Sequence, residues 1–161
     1  MNSDDAASGA EPGPDGLAGR PSRARYDRVR TALDRKWRRR DPQPERMLRE
    51  LVDALWDAFE GGGWTWCGAW QVGPDGRTLT PSRAFPAAAS AAPSSGPLFD
   101  ALAAASTARG PGAIAVPVAD KDGRVWAALE VKSSSDFDDM DARWLERLVK
   151  PFGDAPGAGP R

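Results

Sequence analysis

Apolar side chains recur at steps of three and four residues in the first part of the chain, and this spacing predicts two amphipathic helices. The first predicted helix covers residues 23–40. Two prolines, Pro42 and Pro44, separate it from the second, which runs to the glycines at 61–63. The apolar stripes consist of Tyr26, Val29, Leu33 and Trp37 in the first helix and of Leu48, Leu51, Val52, Leu55, Trp56 and Phe59 in the second.

The alternating and β-branched runs that follow predict an antiparallel sheet of four to five strands. The predicted strands are residues 64–72, 78–85, 113–119 and 124–132. In the first strand bulky and small residues alternate, so we expect Trp64, Trp66 and Trp70 to point to the same face. The Asp122-Gly123 pair between the last two strands suits a tight hairpin turn.

The segment between the second and third strands predicts an irregular crossover. Residues 86–96 have the composition of a loop, and residues 98–109 are expected to form a short helix. A final helix begins after Asp138, which occupies an N-cap position. The order of elements predicts an α+β domain whose sheet carries the two N-terminal helices and the C-terminal helix on one face. The crossover then covers the other face, where we expect a small-molecule pocket.

Gly, Pro and Ala dominate both ends of the chain. Residues 1–22 and 154–161 are predicted to be disordered tails, because they offer too few apolar side chains to offset the entropy of ordering. The folded domain is therefore expected to span residues 23–153.

The 161-residue chain has a net charge of −1, but its basic residues are concentrated in the first helix. Residues 20–40 hold ten Lys or Arg and only two acids, Asp27 and Asp34. This helix has three interpretations: a solvated face, a helix that pairs with a second copy in a homodimer, or an arm for nucleic acid or an anionic membrane. The lack of aromatic residues on its basic side disfavours nucleic acid, and the chain has no apolar run of about 18 residues that would predict a membrane span.

A chain without histidine and with one cysteine, Cys67, lacks the residues for several common sites. It cannot build a Ser-His-Asp triad, a zinc site of the His/Cys type or an internal disulfide. We therefore expect no metal and no cofactor. The lone thiol is typical of a soluble cytoplasmic protein.

Several segments together resemble a GAF domain: the strand at 64–72, the hairpin at 114–131 and the Phe-Asp-Asp-Met-Asp run at 137–141. The chain is most similar to the free methionine-(R)-sulfoxide reductase branch. That branch also begins with a helix containing Tyr-Asp, here Tyr26-Asp27, and has a Trp-x-Gly-x-aromatic strand, here residues 66–70. The likeness covers residues 26–152 and implies a GAF-like fold.

The resemblance also implies a chemistry for which this chain lacks key groups. The reductases carry their cysteines in the crossover, where one thiolate attacks the sulfoxide and a second resolves the sulfenic acid, but residues 82–112 contain none. A Ser-Glu pair of the family is replaced by Gly112-Ala113, and its Asp-x-Asp-Ser motif appears here as residues 130–133, with Glu130 and Lys132 at the acidic positions. A lysine would repel the ammonium of a free amino acid, so we expect the family's substrate to bind poorly.

Three hypotheses remain open. The leading one is a stand-alone GAF-like domain that senses a small molecule or binds a protein and has no reductase activity. The alternative is a reductase-like enzyme that uses Cys67 with an external thiol, whereas the competing interpretation of this cysteine is core packing. A third hypothesis is a scaffold or dimerisation module that acts through its N-terminal helices.

Aromatic and acidic residues of the sheet are the candidates for a ligand site, since we expect them to line one cavity. The candidate ligand-binding residues are Trp66, Trp70, Trp126 and Glu130. Core packing is the other interpretation of the tryptophans. For Glu130 the alternative is a solvent-facing strand position paired with Lys132 or Arg124.

Overall fold

The computed structural model describes residues 15–38, 43–87 and 95–154, which form helices around one five-stranded antiparallel sheet. In chain order the elements are α1 (Asp15–Arg38), α2 (Pro44–Phe59), β1 (Trp64–Val72), β2 (Leu79–Phe85), α3 (Pro97–Ala104), β3 (Ala108–Gly110), β4 (Ala113–Ala119), β5 (Val125–Ser133) and α4 (Asp139–Val149). Short 3-10 helices follow α2 at Glu60–Gly62 and α4 at Lys150–Asp154. The strand order is β2-β1-β5-β4-β3, which confirms the predicted α+β class.

Some boundaries differ from those predicted. Helix α1 begins at Asp15 rather than at residue 23, although Gly16, Gly19 and Pro21 have low helix propensity. The rest of the predicted N-terminal tail, residues 1–14, lies outside the described residues, as do residues 39–42 and 155–161.

The crossover helix predicted for residues 98–109 is shorter in the structure. Helix α3 ends at Ala104 because Ala105 adopts the left-handed conformation, with φ 52°, which closes the helix. Residues 108–110 then form the edge strand β3 beside β4.

Two apolar clusters lie on the sheet. The larger contains buried side chains of α1, α2 and α4 together with Cys67, Ile114, Val116, Leu129 and Val131 of the strands. The smaller consists of Trp70, Ala115 and Ala128 of the strands and Leu98 and Ala101 of α3. Because neighbouring residues of a strand point to opposite faces, the helices α1, α2 and α4 cover one face and α3 covers part of the other.

A buried tyrosine ties α1 to α4. The Tyr26 ring lies 4.5 Å from Phe59 and stacks on Trp144 at 5.8 Å. Its hydroxyl donates a hydrogen bond of 2.8 Å to Asp141 Oδ1. Asp141 also completes a capping box with Asp138 at the start of α4, so one carboxylate joins the helix cap to the core.

Among the described helices, none has both the length and the hydrophobicity that a membrane span requires.

Candidate functional site

A buried carboxylate lies at the centre of the sheet face that α3 partly covers. Glu130, on β5, is 5% exposed and lies between Gly68 of β1 and Ala115 of β4. Its Oε1 accepts a hydrogen bond of 3.0 Å from Trp70 Nε1. The interpretation of Glu130 as a solvent-facing position is therefore wrong, because the residue is buried.

The Glu130 carboxylate has further capacity to bind. A carboxylate offers about four lone-pair directions, and within the described part of the chain the Trp70 indole is its one hydrogen-bond donor. The flanking residues Gly68 and Ala115 carry no side chain larger than a methyl group. A buried carboxylate with an unused oxygen can accept a hydrogen bond from a ligand or pair with its positive charge.

The indole of Trp66 lies over Gly68, the residue of β1 that pairs with Glu130. A Cβ atom at position 68 would stand 2.4 Å from a ring carbon of Trp66, so only glycine leaves room for this arrangement. Trp66 Nε1 donates a hydrogen bond of 3.0 Å to the carbonyl oxygen of Ala87, and Lys132 Nζ lies 5.5 Å from the ring centroid. The face therefore presents a carboxylate, an indole ring and an exposed ammonium next to one another. We define Trp66, Trp70, Glu130 and Lys132 as the Glu130 face.

Two tryptophans, Trp64 and Trp126, lie on the face of the sheet opposite to the one that the sequence pattern predicts. In β1 the pairing with β5 skips Thr65, and in β5 the pairing with β4 skips Trp126, so each strand carries an extra residue that interrupts its alternation. As a result Trp64 stacks on Phe59 at 4.1 Å and belongs to the larger cluster, as does Trp126. The structure thus brings Trp66, Trp70 and Glu130 together and places Trp126 elsewhere.

Trp126 lies deep in the larger cluster. It is 1% exposed, its ring centroid is 6.0 Å from that of Phe152, and its Nε1 has no hydrogen-bond partner among the described residues. This position does not support the prediction that Trp126 binds a ligand together with Glu130.

Lys132 lies on the Glu130 face as well, although it is not one of the candidate ligand-binding residues predicted from the sequence. The signal was its spacing of two from Glu130, which places both side chains on one face of a strand.

The single thiol of the chain is enclosed in the core. Cys67 is fully buried in the larger cluster, and its backbone pairs with Phe85 and Val131. Burial, and to a smaller extent the charge of Asp53, raises the pKa of this thiol well above its usual range. A thiol in this environment stays protonated and is a poor nucleophile.

The roof expected over the Glu130 face is only partly described. Helix α3 packs on Trp70, Ala115 and Ala128, whereas residues 88–94 of the crossover lie outside the described residues. The cavity predicted between the sheet and residues 82–112 therefore stays a prediction. Within the three described ranges, no group of three or more acidic or cysteine side chains is placed to hold a metal ion.

Comparison with solved structures places this fold among known domains. The free methionine-R-sulfoxide reductase of Neisseria meningitidis in complex with its substrate has 21% sequence identity and a TM-score of 0.65, over 88% of this chain and 91% of that one. The corresponding values for the substrate complex of fRMsr from Staphylococcus aureus are 17% and 0.68, over 80% and 94%. For a structure of a GAF domain they are 15% and 0.71, over 86% and 90%.

Comparison of the sequence itself gives no further relation. A scan of protein families and a search of curated protein sequences return no match. The structural likenesses cover most of the chain at low identity, and they establish that it has a GAF-like fold.

Proposed function

We propose that this chain is a GAF-like domain that binds a small molecule on the Glu130 face and does not reduce methionine sulfoxide. The observation that carries the proposal is the buried Glu130 carboxylate, which has one oxygen held by Trp70 and a second that accepts no hydrogen bond from any residue the structure describes. Keeping a carboxylate buried costs free energy unless donors surround it, and a ligand would supply the missing donor.

The neighbours of Glu130 narrow the class of ligand. The Lys132 ammonium disfavours a second positive charge close by and attracts an anionic group. The Trp66 ring offers a flat apolar surface next to it. We infer a small ligand that donates a hydrogen bond to Glu130 and places an acidic group near Lys132.

Binding without reduction is supported by the position of the thiol. Two similar structures are methionine-sulfoxide reductases that were solved with substrate, and their fold is the one seen here. Cys67 lies on the opposite face of the sheet from Glu130, in the core, and no second cysteine exists in the sequence. We therefore expect no turnover.

The binding proposal is tested by thermal unfolding with a panel of free amino acids and small carboxylic acids. At least one compound is expected to raise the unfolding temperature of the wild-type protein and not that of Glu130→Gln. Glu146→Gln is the matched control, because Glu146 is exposed on α4. Ligands that stabilise all three proteins equally, or a panel without any effect, would contradict the proposed site.

The absence of catalysis is tested with free methionine-(R)-sulfoxide as substrate. The purified protein is expected to show no reduction with dithiothreitol or with a thioredoxin system. Turnover that Cys67→Ser abolishes would instead support an enzyme that works with Cys67 and an external thiol.

We also propose that a second copy docks on α1 and α2. These helices form a groove of about 620 Å³ with Ala54 and Ala58 on its apolar side. Arg28 and Arg35 of α1 and Asp57 of α2 line this groove, so two copies related by a two-fold axis can pair opposite charges. Sedimentation at increasing protein concentration should show a dimer that Arg35→Glu weakens and Lys36→Glu does not. A monomer at all concentrations would contradict this.

A further inference from the structure

A second cavity lies between α1 and α4, away from the Glu130 face. It has a volume of about 260 Å³ and an apolar floor formed by Leu33 and Leu148, which are 2% and 3% exposed. Trp37 and Pro151 form its walls. Trp37 Nε1 donates to Glu50 Oε1 at 3.0 Å, so the donor of this indole is already used and its ring contributes apolar surface. The interior of the cavity therefore suits a hydrocarbon or aromatic body.

Basic side chains also line this cavity. Arg30, Arg147 and Lys150 line it, and Asp34 is its one acidic lining residue. The guanidinium carbons of Arg30 and Arg147 lie 5.7 Å and 4.6 Å from the centroid of the same Trp144 ring. Both charges therefore lie close to this indole, and an anion in the cavity that these two side chains line would be attracted to both.

Neighbouring acids offset only part of the positive charge of this lining. Arg30 pairs with Asp27 at 3.0 Å, in a contact between two exposed side chains that water screens. Among the described residues, no carboxylate lies within ion-pair distance of Arg147 or Lys150. The end of α4 explains part of this arrangement, because the carbonyl end of a helix favours cations. It does not account for Arg30, which reaches the same place from α1.

We propose that this cavity binds a small carboxylate with an aromatic or branched apolar body. The apolar body contacts Trp37, Leu33 and Leu148, and the carboxylate accepts hydrogen bonds from the side chains of Arg147 and Lys150. The site shares no residue with the Glu130 face, so it is independent of the function proposed above.

The test uses 1-naphthoate as the probe and isothermal titration calorimetry on the full chain. We expect saturable binding at one site, and about tenfold weaker binding of the neutral analogue 1-naphthalenemethanol, since a charge-assisted hydrogen bond is lost. Arg147→Gln and Lys150→Gln should each weaken naphthoate binding about threefold or more. Arg143→Gln is the matched control, because Arg143 is exposed on the same helix and does not line the cavity.

A further variant separates recognition from structure. Asp34→Asn removes the one acid of the lining and should tighten naphthoate binding, a gain that damage to the fold would not produce. The proposal is overturned if naphthoate does not saturate, if the neutral analogue binds equally well, or if Arg143→Gln weakens binding as much as Arg147→Gln. It is also overturned if sedimentation shows that naphthoate dissociates a dimer, because the occupant would then be a second copy.

Discussion

The hydroxyl of Tyr26 offers a direct test of how α1 is held to α4. Tyr26 is fully buried, and its ring packs against Phe59 and Trp144. Tyr26→Phe keeps this ring in place and removes one hydrogen bond, the 2.8 Å bond to Asp141 Oδ1. Asp141 Oδ2 still accepts from the backbone N–H of Asp138, so the carboxylate loses one donor of two.

The decrease in the free energy of unfolding that we expect for Tyr26→Phe follows from the charge of the acceptor, Asp141. A hydrogen bond to a charged group contributes about 1.5–3 kcal/mol, and we expect about 1.5–2 kcal/mol at neutral pH because Asp141 keeps its second donor. Burial raises the pKa of Asp141, whereas the bond from Tyr26 lowers it. When an aspartate has a raised pKa in the folded state, the free energy of unfolding of the protein falls as pH rises through that pKa. The hydrogen bond from Tyr26 limits this fall, because it stabilises the charged form of Asp141.

Removal of the hydroxyl therefore raises the pKa of Asp141 further, and it lowers the free energy of unfolding more at higher pH. The free energy of unfolding should be measured by urea titration with tryptophan fluorescence at about pH 7 and about pH 3.5, below the usual aspartate pKa of about 3.9. At the lower pH the loss should shrink to about 0.5–1 kcal/mol, the contribution of a neutral hydrogen bond. A loss below about 0.5 kcal/mol at neutral pH, or one that is equal at both pH values, would refute the reasoning. The double variant with Asp141→Asn measures the coupling directly.

Three further predictions concern the sheet and α4. Gly68→Ala places a Cβ 2.4 Å from the Trp66 ring, so it should lower the free energy of unfolding by about 1–3 kcal/mol and change the near-ultraviolet circular dichroism of Trp66; an unchanged spectrum would contradict the packing. Asp138→Ala removes the capping box of α4 and should cost about 1 kcal/mol in urea titration, whereas no loss would show that the cap does not contribute. Cys67 should react with a thiol reagent only as the protein unfolds in urea, and rapid labelling of the native protein would contradict its burial.

The sequence predicted those elements whose apolar spacing is regular. The stripes of α1 and α2 and the hairpin of β4 and β5 follow the periods of a helix and a strand, and the structure has them where expected. Helix α4 was predicted from the N-cap at Asp138, which the structure confirms, and the structure adds a capping box with Asp141. Four strands of the sheet were assigned to residues from the sequence. The fifth, β3, was not, because a three-residue edge strand is too short to show a period.

The residues of the candidate site were predicted less well than the fold, because two strands each contain one extra residue. Alternation assigns every second residue of a strand to one face, and an extra residue reverses the assignment beyond it. Thr65 and Trp126 are such residues, so Trp64 and Trp126 lie in the core and not beside Trp66. The bulges depend on pairing with neighbouring strands, which no pattern within one strand reveals.

The same alternation explains why the sheet separates the thiol from the Glu130 face. Cys67 and Gly68 are neighbours in β1, yet Cys67 contacts the core under α1, α2 and α4, while Gly68 lies opposite Glu130 beneath the Trp66 ring. For Cys67 to reach a ligand held by Glu130, β1 would have to leave its pairing with both β2 and β5. A cysteine that acted on such a ligand would have to come from the outer face or from the crossover, and the sequence has none at either place. This separation is the physical reason why we propose binding on the Glu130 face without redox chemistry.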